Sequence, residues 1–68
     1  SARNTGKYPM YVRLMNGSIY KSWEVKSGAS LATGEFSVTP NTYWLAIGPL
    51  TGYTPTSGSG SLTQVIPL

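Results

Sequence analysis

The chain has 68 residues and a formal net charge of +3, and it contains no histidine and no cysteine. It also lacks aspartate, so its acids are Glu24 and Glu35. A general base near neutral pH is usually a histidine or a tuned carboxylate, and a zinc site needs several His, Cys or acidic ligands. The composition therefore argues against an enzyme and against a metal or other cofactor, and the length allows a single small domain spanning 1–68.

Charge is concentrated in the first part of the chain. The five cations all precede residue 27, and Glu35 is the only charged side chain after it; the cations are Arg3, Lys7, Arg13, Lys21 and Lys26. Ser, Thr, Gly, Asn and Tyr dominate the remainder, as in surfaces that make adaptable hydrogen bonds and stacking contacts. No apolar run reaches the about 18 residues of a membrane span. Since no disulfide or metal is available to stabilise so small a domain, we expect a homo-oligomer or a part of a larger protein.

In chain order, the first predicted structure follows a flexible start at 1–8. Residues 10–15 and 18–25 are β-prone runs on either side of Asn16-Gly17. This dipeptide is typical of a two-residue type I′ turn, so the segment is predicted to form a β-hairpin. Such a turn pairs Met15 with Ser18 and Arg13 with Tyr20.

This register gives the hairpin two different faces. One is apolar apart from Lys21, and it carries Met10, Val12, Leu14, Ile19, Trp23 and Val25. The other brings Tyr11, Arg13 and Tyr20 together, with Ser22 and Glu24 nearby. The second face is either a binding surface, through ring stacking and the guanidinium group, or an ordinary cross-strand pair on an exposed sheet.

Three further strands are predicted after a loop at 27–33. Residues 35–39 form a strand with Phe36 and Val38 facing the core, and residues 42–47 form a strand with apolar groups on both faces. The latter is a central strand, or an interface strand whose Trp44 meets a partner. A long loop at 48–60 precedes a last strand at 61–66. The sequence thus predicts an all-β fold, a small antiparallel barrel or sandwich of about five strands with an N-terminal hairpin.

A second candidate site lies on and around the long loop. Trp44 and Tyr53 offer flat aromatic surfaces, and Asn41 offers an amide at their rim. Sugars present apolar C–H faces bordered by hydroxyl groups, so this combination suits a glycan. The alternative is that Trp44 is buried in the core or in a subunit interface, where Trp and Tyr are enriched.

The overall composition resembles that of domains from extracellular appendages such as phage tail fibres, pilus tips and sugar-binding modules. This resemblance implies a non-catalytic recognition module that binds a glycan or cell-surface receptor outside the cell or on a virion. The alternative is a structural subunit of a virion or appendage. A third possibility is a small basic β-barrel that binds nucleic acid, although five scattered cations make a modest field. Glu24 and Glu35 are interpreted as solubilising charges.

Overall fold

The computed structural model describes residues 1–65. Six β-strands form within this range, and they are arranged in two three-stranded antiparallel sheets. The strands are β1 (Ala2–Asn4), β2 (Met10–Met15), β3 (Ile19–Val25), β4 (Ser30–Leu31), β5 (Trp44–Pro49) and β6 (Gly58–Gly60). Sheet A has the order β4-β1-β6 and sheet B the order β3-β2-β5.

The predicted all-β fold is confirmed, but two details differ. The described residues contain six strands instead of five, and their sheets do not close into a barrel. Each sheet has two free edges because its outer strands pair on one side alone. Residues 1–8, expected to be a flexible start, include β1 at the centre of sheet A, and the loop expected at 48–60 shortens to 50–57 because β5 and β6 take its ends.

The hairpin of β2 and β3 is confirmed, but its turn is not of type I′. That turn needs positive φ at both central residues, and among the non-glycine residues described none has it; Gly17 alone in the turn does, with φ of 105°. The loop is therefore one residue longer than predicted, and Met15 pairs with Ile19. Tyr20 is then left over as a β-bulge, since Leu14 pairs with Lys21.

These two changes compensate each other for the rest of β3. The longer loop alone would turn Trp23 to the wrong side, because side chains alternate between the faces of a sheet. The bulge restores the alternation, so that Trp23 lies opposite the buried Val12 as part of the apolar face. The predicted pairing of Arg13 with Tyr20 is wrong, because Ser22 lies opposite Arg13.

The core is small and lies between the two sheets. Its buried apolar side chains come from β1, β2 and β3, namely Ala2, Met10, Val12, Leu14 and Val25. Sheet A approaches this layer closely through β6, where a Cβ on Gly58 would lie 2.8 Å from the Met10 sulfur. A glycine is needed there because the backbone itself packs against the core. We call the side of sheet B that sheet A covers its inner face, and the opposite side its outer face.

Two predicted strands do not form. Residues 35–39 are not in a strand, and Val38 is exposed instead of facing the core; Phe36 is 36% exposed, but its ring lies 6.2 Å from that of Trp23, which packs against the core. Both sides of β2 are occupied by β3 and β5, and within the described residues this segment pairs with the free edge of neither strand. The last strand is Gly58–Gly60 rather than 61–66: residues 61–65 lie outside any strand, and residue 66 lies outside the described residues.

Strand β5 shows the predicted alternation, with Leu45 and Ile47 beside the core and Trp44 and Ala46 on the outer face. It is nevertheless an edge strand and not a central one.

The molecule is thin and extended for its length. Its principal extents are 41 × 21 × 13 Å and its radius of gyration is 12.6 Å, against about 11 Å for a compact chain of this length. The accessible surface is 4926 Å², whereas a compact domain of this mass exposes about 4,200 Å². An unusually large part of the chain therefore remains in contact with solvent.

Candidate functional site

The outer face of sheet B carries the first candidate site. Along β2 it presents Tyr11, Arg13 and Met15, and each has one neighbour on β3 and one on β5. Small side chains flank Arg13, with Ser22 on one side and Ala46 on the other.

Tyr11 and Arg13 interact with each other. The guanidinium carbon of Arg13 lies 3.8 Å from the centre of the Tyr11 ring, which is a cation–π contact. The phenol end of the ring lies against Gly48 of β5, in the space that a Cβ would occupy. Arg13 Nε is buried and has no hydrogen-bond partner in residues 1–65. The guanidinium group thus covers part of the ring that a sugar or base would need for stacking.

Tyr20 does not complete this site. The bulge removes it from the position opposite Arg13, and its ring instead meets Tyr43 edge-on, with 5.4 Å between centroids. The Tyr43 hydroxyl donates a hydrogen bond to the Thr39 carbonyl at 2.6 Å. Tyr20 therefore belongs to a contact that fixes the segment before β5.

The second candidate site is divided between the two ends of sheet B. Trp44 begins β5 beside the hairpin turn and is 47% exposed, while Tyr53 follows β5 and is 46% exposed. The five steps from Trp44 to Pro49 span about 17 Å at about 3.4 Å per residue. Tyr53 lies near this far end against Tyr8, at 6.0 Å between centroids. Trp44 and Tyr53 therefore do not form one platform.

Asn41 is exposed near Trp44 in the chain, but its side-chain oxygen is engaged locally. It accepts a hydrogen bond from the Thr42 backbone N–H at 2.7 Å. The amide nitrogen is left as the group that Asn41 offers to a ligand.

The cations lie on different parts of the molecule. Arg13 lies over Tyr11, and the Lys21 ammonium lies 4.6 Å from the centre of the Phe36 ring. Arg3 belongs to sheet A, where it donates a weak hydrogen bond of 3.4 Å to the Ser30 hydroxyl. A groove that follows a nucleic-acid backbone needs its charges side by side. These three positions do not provide such a row.

Asn4 is the residue that sequence reasoning missed. Its side chain is completely buried in β1, and its amide nitrogen donates to the carbonyl oxygens of Tyr8 and Val25 at 2.7 and 2.9 Å. Its side-chain oxygen accepts from the Gly6 N–H at 2.9 Å. An isolated asparagine in a weakly patterned segment gives no signal of such a role. It joins sheet A to the open end of the hairpin.

The described chain contains no cluster of three or more His, Cys, Asp or Glu side chains suited to a metal ion. Residues 1–65 also include no helix with the length and apolar character that a membrane span requires. No protein-family model matches the chain, and neither a curated protein nor a solved structure matches it. The features of the described chain that bear on function are therefore its exposed surface and the free edges of the two sheets.

Proposed function

We propose that this protein is a non-catalytic structural subunit that assembles with copies of itself, as in a virion or an extracellular appendage. The observation that carries this proposal is the imbalance between core and surface. Large apolar side chains remain exposed on several parts of the described chain: Tyr8, Ile19, Phe36, Val38, Trp44, Tyr53, Leu62 and Val65. Contiguous exposed apolar surface is typical of interaction sites, and Ile19, Met15 and Trp44 form such a row across the outer face of sheet B.

The amount of excess surface supports the same proposal. The accessible surface of 4926 Å² exceeds the value for a compact domain by about 700 Å². Each partner in a standard protein interface contributes about 800 Å². One subunit contact of ordinary size would therefore bring the exposed area of this chain to that of a compact domain.

Light scattering and sedimentation velocity over micromolar to millimolar concentrations test the proposal. We expect a defined oligomer that dissociates on dilution. A strictly monomeric and stably folded protein over the whole range would contradict it. The apolar dye ANS provides a control, because the monomer obtained by dilution should bind more dye per chain than the oligomer does.

A second candidate is glycan or receptor recognition, and the exposure of Trp44 and Tyr53 favours it. Because these rings lie at opposite ends of sheet B, they are two separate candidate positions, and a single glycan site would include one ring and not the other. A glycan array with Trp44→Ala and Tyr53→Ala tests them individually. We expect one substitution to abolish binding and the other to leave it intact; equal loss in both, or no binding by the unmodified protein, would count against this candidate. Nucleic-acid binding has the least support, since the cations are dispersed.

A further inference from the structure

The two edges of sheet B have opposite properties. Strand β3 carries Lys21 and Glu24 and is bent by the bulge at Tyr20. Charged residues and bulges are the usual means by which edge strands avoid pairing with other chains. Strand β5 has the sequence Trp-Leu-Ala-Ile-Gly-Pro and carries no charge. One edge is therefore protected and the other is open to pairing.

The backbone of β5 is also free on its outward side. Within the described residues β5 pairs with β2 alone, and no backbone hydrogen bond from a loop of residues 1–65 reaches it. An edge strand directs alternate N–H and C=O groups away from its sheet. Its six residues match the usual length of a strand. These groups form a template that another extended chain fits.

The side chains of β5 favour a second copy of the same strand as the partner. Directly opposite residues of an antiparallel pair share a face, so a two-fold axis can pass through Ala46. Trp44 then lies opposite Gly48 of the second copy on the outer face, and Leu45 lies opposite Ile47 on the inner face. Trp44 then adjoins the Tyr11 ring that lies against Gly48 in the second copy, and apolar side chains meet each other on the inner face. Pro49, which has no N–H to donate, lies outside these central pairs.

We propose that β5 pairs antiparallel with β5 of a second copy about a two-fold axis at Ala46, which gives a six-stranded sheet of order β3-β2-β5-β5-β2-β3. This inference rests on the proposed function, and it names the contact and the partner. Both ends of the joined sheet are protected β3 strands, so this contact produces a closed dimer. The inner faces of both copies lie on the same side and continue across the axis.

Cross-linking through a single introduced cysteine tests the register. Ala46 and Ser22 both flank Arg13, one on each edge of sheet B, and the natural sequence has no cysteine. A short bis-maleimide should join Ala46→Cys into covalent dimers, because the two thiols lie beside the axis. The matched variant Ser22→Cys should remain uncrosslinked. Dimers of Ser22→Cys with none of Ala46→Cys would overturn the proposal.

A pair of charge substitutions tests the energetics. Trp44 and Ile19 lie on either side of Met15 and are 47% and 53% exposed. Trp44→Lys should raise the dissociation constant of the dimer at least about tenfold, since two lysines then flank the joined edge. Ile19→Lys should change it less than about twofold, because β3 stays outside the contact. Circular dichroism checks that both variants fold.

The outcomes separate this inference from the proposed function. A protein that is monomeric without any substitution contradicts both. An oligomer that survives Trp44→Lys, or that gives no Ala46→Cys dimers, leaves the subunit proposal standing and rejects β5 as the contact. A monomer whose β5 edge captures a strand from a different protein rejects the second copy as the partner.

Discussion

At the scale of single residues, Asn4 does more to hold the sheets together than any residue that the sequence singled out. A buried amide is stable when all its donors and acceptors have partners, and here two donors and one acceptor are used. The Asn4 backbone is engaged as well, since its N–H donates to the Ala29 carbonyl at 3.0 Å. Hydrophobic patterning cannot reveal such a residue, because its position depends on contacts between distant segments.

Replacing Asn4 with alanine should therefore destabilise the protein strongly. The carbonyls of Tyr8 and Val25 and the N–H of Gly6 would lose their partners in a buried place. We expect the free energy of unfolding to fall by about 3 kcal/mol, measured by urea denaturation. The exposed Asn41→Ala serves as a control and should cost less than about 1 kcal/mol. Similar losses in both variants would refute the role assigned to Asn4.

Gly48 supplies a second prediction at this scale, because the Tyr11 ring occupies the space beside its Cα. Gly48→Ala should lower stability by about 1–3 kcal/mol through overpacking. In a background that already contains Tyr11→Ala, the same substitution should cost much less, since the ring is gone. A double-mutant cycle in urea measures this difference, and additive costs would show that Tyr11 and Gly48 are not coupled.

At the scale of elements, local sequence signals predicted the hairpin and the alternation of β5. They could not predict which β-prone segments would pair with one another. The hairpin followed from Asn16-Gly17 between two β-prone runs, and the alternation of β5 followed from its sequence. The segment 35–39 has the same β-prone character, yet it pairs with neither free edge of sheet B and forms no strand. The predicted site residues divide in the same way: Tyr11 and Arg13 lie together through local alternation, whereas the positions of Tyr20 and Tyr53 depend on a bulge and on a loop.

The hairpin loop gives a test of its own. Gly17 has φ of 105°, and a Cβ there would meet nothing within 4 Å, so the cost of a side chain comes from the backbone alone. Gly17→Ala should destabilise the protein by about 1–2 kcal/mol, measured by thermal unfolding. Ser18→Ala in the same exposed loop should change stability by less than about 0.5 kcal/mol. A stabilised Gly17→Ala would mean that the loop adopts a different conformation.

At the scale of the whole molecule, the thin shape connects stability with assembly. The chain has few buried apolar side chains and a surface larger than a compact domain needs. Its stability should therefore depend on protein concentration. For a dimer that unfolds to separate chains, each tenfold increase in concentration should add about 0.7 kcal/mol per chain. Unfolding midpoints measured in urea across a concentration series check this, and a constant midpoint would contradict it.

The bulge in β3 has a consequence for changes in chain length. In β3, Ile19 pairs with Met15 and Lys21 pairs with Leu14, and Tyr20 is the extra residue between them. If Tyr20 were deleted, the same residue pairs would form an uninterrupted β-ladder. Its deletion should therefore disturb the sheet less than deletion of either neighbour. The shortened strand would lose its bend. Lys21 and Glu24 would then be the remaining barrier to edge-to-edge pairing of β3 with another sheet. A single deletion thus removes one of the two features of β3 that keep the pair of subunits closed.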